Sequence, residues 1–183
     1  MTTFHTILLL LAAVLAVFWE AAFPGTSRWL RAQVDLLPAL MVYASLCLGL
    51  PATALLAVCG GVMFDSLSAN PLGVSILPLF ATGFLIHLRR ELILRDQPFA
   101  QFVLGLAASA LAPLLTVLWL LTAGRTPLLG WGSLWQWLVM SVAGGIATPI
   151  IFLMFGWCER LLGHRRAVES SFRSDREIRR GPS

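Results

Sequence analysis

The chain has 183 residues; AVILMFWYC residues make up 58% of it and charged residues only 12%, about half of the usual quarter. So few charges cannot cover a 20.0 kDa domain in water, and a mean hydropathy of +0.83 excludes both a soluble globular enzyme and a disordered chain. The net charge of +4 comes from arginines placed between and after apolar runs, the pattern of membrane topology signals rather than of a nucleic-acid-binding surface.

Six apolar segments follow in chain order. Phe4–Ala22 comes first; Met1–Thr6 carries no Lys or Arg, so the positive leader region of a secretory signal is missing and the segment is expected to remain as a span. Leu36–Leu50, Pro51–Leu67 and Gly73–Leu88 have 15 to 17 residues each, roughly 22–26 Å as helix and marginal if taken alone. Gly49-Leu50-Pro51 separates the first two of these, because glycine suits a helix C-terminus and proline the first turn of the next helix. A tight hairpin is expected there. Phe99–Thr122 and Leu134–Cys158 reach roughly 36 Å, enough to cross a hydrocarbon core of about 30 Å with some tilt.

The expected fold is therefore an all-α polytopic membrane protein, with six transmembrane helices in residues 1–158 and an Arg-rich cytoplasmic tail in 159–183. With a cytoplasmic N-terminus, Arg89, Arg90, Arg95, Arg160, Arg165, Arg166, Arg173, Arg176, Arg179 and Arg180 fall inside, and Arg28, Arg31 and Arg125 outside, as the positive-inside rule asks. A rival arrangement fuses Leu36 to Phe64 into one kinked helix. It gives five spans and an external N-terminus, and it satisfies the arginines slightly better, but it buries Pro51 in mid-span beside Gly49. Trp19, Trp29, Trp119, Trp131, Trp135 and Trp137 lie near the outer interface in the six-span arrangement and Trp157 near the inner one, as an anchoring belt would. The tail carries seven arginines and four acids and is expected to lie against anionic lipid, partly helical or disordered, or to serve as a docking arm.

Chemistry-bearing motifs are scarce. His5, His87 and His164 show no H-E-x-x-H spacing, no G-x-S-x-G occurs, and a Walker loop is impossible in a chain without lysine. Cys47, Cys59 and Cys158 sit in apolar segments at irregular spacing, as small hydrophobic residues. No catalytic residue, metal site or cofactor is expected. Pro113 and Pro149 lie inside the two long spans and are expected to kink them. Gly60 and Gly61, Gly105 with Ser109, Ala108 with Ala112, and Gly144 with Thr148 provide small surfaces for close helix packing.

One stretch departs from its surroundings, Gly60-Gly61-Val62-Met63-Phe64-Asp65-Ser66-Leu67-Ser68-Ala69-Asn70-Pro71-Leu72-Gly73. An ionised Asp65 at mid-bilayer costs about 2.5–3.5 kcal/mol even on a lenient insertion scale, so it must sit near the interface or face a polar partner. Ser66, Ser68, Asn70 and Pro71 read as a turn. Two roles remain open for Asp65: tethering that turn by accepting backbone N–H groups, or docking a partner or ligand.

This stretch resembles the rod shape-determining MreD family, whose members carry a small residue, apolar residues, an aspartate and a short turn closing on Leu-Gly. Gly61, Asp65, Ser66, Ser68, Leu72 and Gly73 carry the likeness. Asp35-Leu36-Leu37 opening the second span, Leu50-Pro51 at the hairpin and Pro149 in the last span, with arginines after it, also match. The chain departs from the family pattern at Val34, where a proline often stands, in lacking a basic residue in the hairpin, and in the tail beyond Arg166. The resemblance implies a six-helix fold similar to the substrate-binding subunits of energy-coupling-factor transporters. It also implies a non-enzymatic scaffold of the cell-elongation machinery in the bacterial inner (plasma) membrane. Such a scaffold binds MreC, and through it MreB filaments and the RodA glycosyltransferase with its transpeptidase, and so organises peptidoglycan synthesis and cell shape. The alternative is a vitamin-binding subunit of such a transporter, which needs a pocket with convergent polar groups.

Overall fold

The computed structural model describes residues 2–22, 34–68, 71–90, 97–124 and 130–170. These residues form six helical segments and no strand. They are α1 (Thr2–Ala22), α2 (Leu37–Tyr43, continued by a π-helical turn Ala44–Leu48), α3 (Leu50–Leu67), α4 (Ile76–Leu88), α5 (Pro98–Thr122) and α6 (Trp131–Ser170). Four helices contain stretches long and apolar enough to cross a membrane, namely Phe4–Ala22, Leu50–Leu67, Pro98–Thr122 and Trp131–Cys158. Leu37–Leu48 and Ile76–Leu88 are apolar but shorter. The chain divides into two compact units, Met1–Ile151 and Phe152–Ser183. In the second unit, helix continues to Ser170, with Leu153, Met154 and Trp157 exposed and Phe155 buried.

Within the first unit, the shortest apolar helix is the best buried. Every residue from Leu37 to Leu46 is buried, because α2 packs against α4 and α5 and also touches α1 and α3. A helix that is apolar on all sides has no polar face to give to water, and here nearly all of it meets protein. The Asp35 carboxylate starts this helix: its Oδ1 accepts the Leu37 N–H at 2.8 Å, and Pro38 occupies the first turn, where a missing N–H costs nothing. At the other end, the Gly49 N–H reaches back to the Ala44 carbonyl at 3.0 Å, and Gly49 adopts φ 92°. That left-handed geometry, which suits glycine best, breaks the helix. Leu50-Pro51 then opens α3 as a separate helix, so the fused Leu36–Phe64 helix of the five-span arrangement does not form.

The other helices pack through small residues. The buried face of α3 is Ala52, Thr53, Leu56, Ala57, Gly60, Gly61 and Asp65, a helical period with little bulk. A methyl group built on Gly61 would lie 3.0 Å from the Ile76 Cα, so α3 and α4 meet backbone to side-chain stub. On α5 and α6, Gly105 faces Thr148 and Gly144 faces Ser109. The small pairs legible in the sequence thus pack inside the bundle, where close approach gains dispersion contacts that lipid cannot supply. On α1 the buried stripe Leu9, Ala13 and Val17 faces inward, and Ile7, Leu11, Leu15 and Phe18 are exposed. Both α5 and α6 run continuously through Pro113 and Pro149.

Candidate functional site: the Asp65 corner

The corner between α3 and α4 gathers the polar groups of the motif stretch. Asp65 lies in the last turn of α3 and is only 1% exposed. Its Oδ2 accepts the Gly73 N–H at 2.8 Å and the Ser75 N–H at 3.1 Å, and its Oδ1 accepts the Ser75 hydroxyl at 2.5 Å. Ser75 is the N-cap of α4, and its own side chain makes no capping bond to that helix. The carboxylate of α3 therefore stands where a cap would, next to the free N–H groups and positive dipole end of α4. Charge-assisted bonds of this kind are about twice as strong as neutral ones. They explain how a buried acid is tolerated at the end of an apolar helix.

Backbone geometry fits the corner to this role. Ser68 ends α3, its N–H returning to the Phe64 carbonyl at 3.0 Å. The chain turns back through Pro71 to Val74, whose N–H reaches the Pro71 carbonyl at 3.3 Å. Gly73 takes φ 93°, which aims its N–H at Asp65 and keeps the residue out of α4. The fourth helix consequently starts at Ile76 rather than at Gly73, the start expected from hydropathy.

The remaining motif residues are placed differently. Gly61 is buried against Ile76. Ser66 is exposed, and its hydroxyl donates to the Met63 carbonyl at 2.7 Å, an ordinary helix back-bond. The Ser68 hydroxyl donates to the Asp65 carbonyl at 3.4 Å. Pro71 is exposed, Leu72 is 70% exposed, and Asn70 lies outside the described residues. Ser75 escapes a reading of the motif alone, although a serine directly before an apolar helical run is an N-cap signal. Of the helix-start and kink residues, Asp35 and Pro51 stand at the starts of α2 and α3, and Pro149 lies inside α6.

One histidine links two elements of the bundle. His87 Nδ1 lies 3.0 Å from the Ser45 carbonyl, a distance at which the ring N–H ties α4 to the π-helical turn of α2. Among the described residues no three His, Cys, Asp or Glu side chains come together to hold a metal ion. Asp35 and Ser75 also line a cavity of about 220 Å³ between the helices. Glu20, Thr116 and Gln136 share that cavity, and Trp19, Trp119, Trp135 and Trp137 are exposed. No family profile, curated protein or solved structure matches the chain.

Proposed function

We propose that the chain is a non-enzymatic membrane scaffold of the MreD type, holding MreC in the bacterial inner membrane and thereby organising lateral peptidoglycan synthesis. The observation that supports this most is the corner itself. A buried carboxylate fixes a turn whose outer residues, Pro71 and Leu72, project from the bundle. Preorganised apolar tips of this kind bind partners without an added ordering cost. The resemblance carried by Gly61, Asp65, Ser66, Ser68, Leu72 and Gly73 supplies the partner's identity. The six-span arrangement, with both termini in the cytoplasm, would put the corner on the outer side.

The vitamin-binding alternative has the cavity in its favour. However, about 220 Å³ falls below the roughly 300–1,000 Å³ of sites that enclose drug-sized ligands, so the scaffold reading takes precedence. Co-purification with MreC tests it. Leu72→Glu, at an exposed position that leaves the fold intact, is expected to lower MreC capture at least tenfold and to round rod-shaped cells; full capture and normal rods in this variant would refute the role of the corner.

A further inference from the structure

The cavity beside the corner holds a charge that the corner does not neutralise. Its walls include Glu20 from α1, Asp35 from the start of α2, Phe64 from α3, Ser75 and Leu79 around the start of α4, and Gln136 from α6. Asp35 is 7% exposed. Its Oδ1 takes the Leu37 N–H, and among the described residues no second hydrogen bond or ion pair reaches the carboxylate. Asp35 also lines the cavity, so its other oxygen is the acceptor left for an occupant. Among the described residues no Lys, Arg or His lines it.

An ionised carboxylate in such a place is costly unless a cation or a set of donors faces it. The occupant's chemistry follows from the rest of the wall. Hard metal cations take six or more oxygen ligands, and the described residues offer no group of three ligating side chains. The wall also contains Phe64, Leu79 and Met140, surfaces that a hydrated ion would leave uncovered. A volume of about 220 Å³ equals some seven waters at roughly 30 Å³ each, room for a short chain with one charged head.

We infer that this cavity binds a primary ammonium carried on a small apolar body, with Asp35 accepting from the ammonium and Phe64 and Leu79 covering the apolar part. The inference stands apart from the scaffold proposal, because it uses neither Leu72 nor the partner. Two sources carry this chemistry, a soluble monoamine and the ammonium of a phosphatidylethanolamine headgroup.

The full chain, purified in dodecyl maltoside, is titrated with n-butylammonium, with butyrate and butanol as charge-reversed and neutral controls at equal ionic strength, and its melting temperature is followed. Butylammonium alone is expected to stabilise it saturably, with the midpoint weakened at least tenfold in Asp35→Asn. Leu79→Trp, which fills the cavity without removing a charge, is expected to abolish the response and decides the question if Asp35→Asn fails to fold. In nanodiscs, stabilisation by phosphatidylethanolamine over phosphatidylglycerol, with no further gain from butylammonium, identifies the headgroup as the source. A gain from butylammonium in both lipids identifies a soluble amine. Equal stabilisation by butyrate or butanol, no response to butylammonium in detergent, or an unchanged midpoint in the folded variants overturns the inference.

Discussion

Replacing Asp65 by alanine removes three acceptor contacts at once, to the Gly73 N–H, the Ser75 N–H and the Ser75 hydroxyl. Hydrogen bonds to a charged group contribute about 1.5–3 kcal/mol each, but the loss is smaller than three such values. The carboxylate's own desolvation cost disappears with it, and the half-buried Gly73 lets water reach one of the stranded donors. A net loss of about 2–4 kcal/mol remains, concentrated at the start of α4. Asparagine separates charge from geometry. Its carbonyl oxygen accepts both N–H groups, its amide donates to the Ser75 oxygen once the hydroxyl rotates, and the expected loss is only about 1 kcal/mol. Thermal unfolding in detergent reports the global effect. Hydrogen exchange at Gly73 and Ser75 reports the local one, since 2–4 kcal/mol corresponds to roughly 30- to 1,000-fold faster opening if these amides exchange by that route. An alanine variant that melts with the wild type and keeps both amides protected would show that the carboxylate does not hold the corner together.

Three further outcomes follow from packing and burial. Gly144→Ala drives its new methyl into Ser109 and is expected to cost about 1–3 kcal/mol as overpacking, visible as a lowered melting temperature. Ser109→Ala should instead stabilise by up to about 1 kcal/mol, because the Ser109 hydroxyl is buried without a hydrogen-bond partner among the described residues and alanine suits a helix better. Burial pushes the Asp35 carboxyl up to about 6, against the lowering effect of the Leu37 N–H. Since the folded value lies above the unfolded 3.8, stability is fully present below about pH 4 and declines as pH rises toward 6; melting curves across that window should show the decline, and Asp35→Asn should flatten it.

Helix positions were largely legible in the sequence, and the departures have local causes. Proline is tolerated at a first helical position, so α5 begins at Pro98, one residue before the hydropathy limit. The last helix runs on past Cys158 to Ser170 because Glu, Arg and Leu are good helix formers whether or not lipid surrounds them. The late start of α4 comes from the positive φ of Gly73, which hydropathy does not register. The partners within the candidate site were harder to read. Asp65 stood out because it interrupts an apolar run, but Ser75 lies ten residues on and was hidden by the apolar segment it begins. The cavity draws Glu20, Asp35 and Gln136 from three distant places in the chain. The central burial of α2 left no trace either, since in lipid apolar residues serve equally well against protein and against acyl chains. Only the small residues, Gly60 and Gly61, Gly105 with Ser109, Ala108 with Ala112, and Gly144 with Thr148, marked contact faces in advance.

That central burial bears on which bilayers the protein can inhabit. A helix spanning Leu37–Leu48 is only about 18 Å long and would suffer severe hydrophobic mismatch if lipid surrounded it. Enclosed from Leu37 to Leu46, it is instead sealed by protein, and its length is uncoupled from membrane thickness. Adaptation to thicker or thinner bilayers then falls to the long peripheral helices, which can tilt while the centre of the bundle keeps its depth and shape.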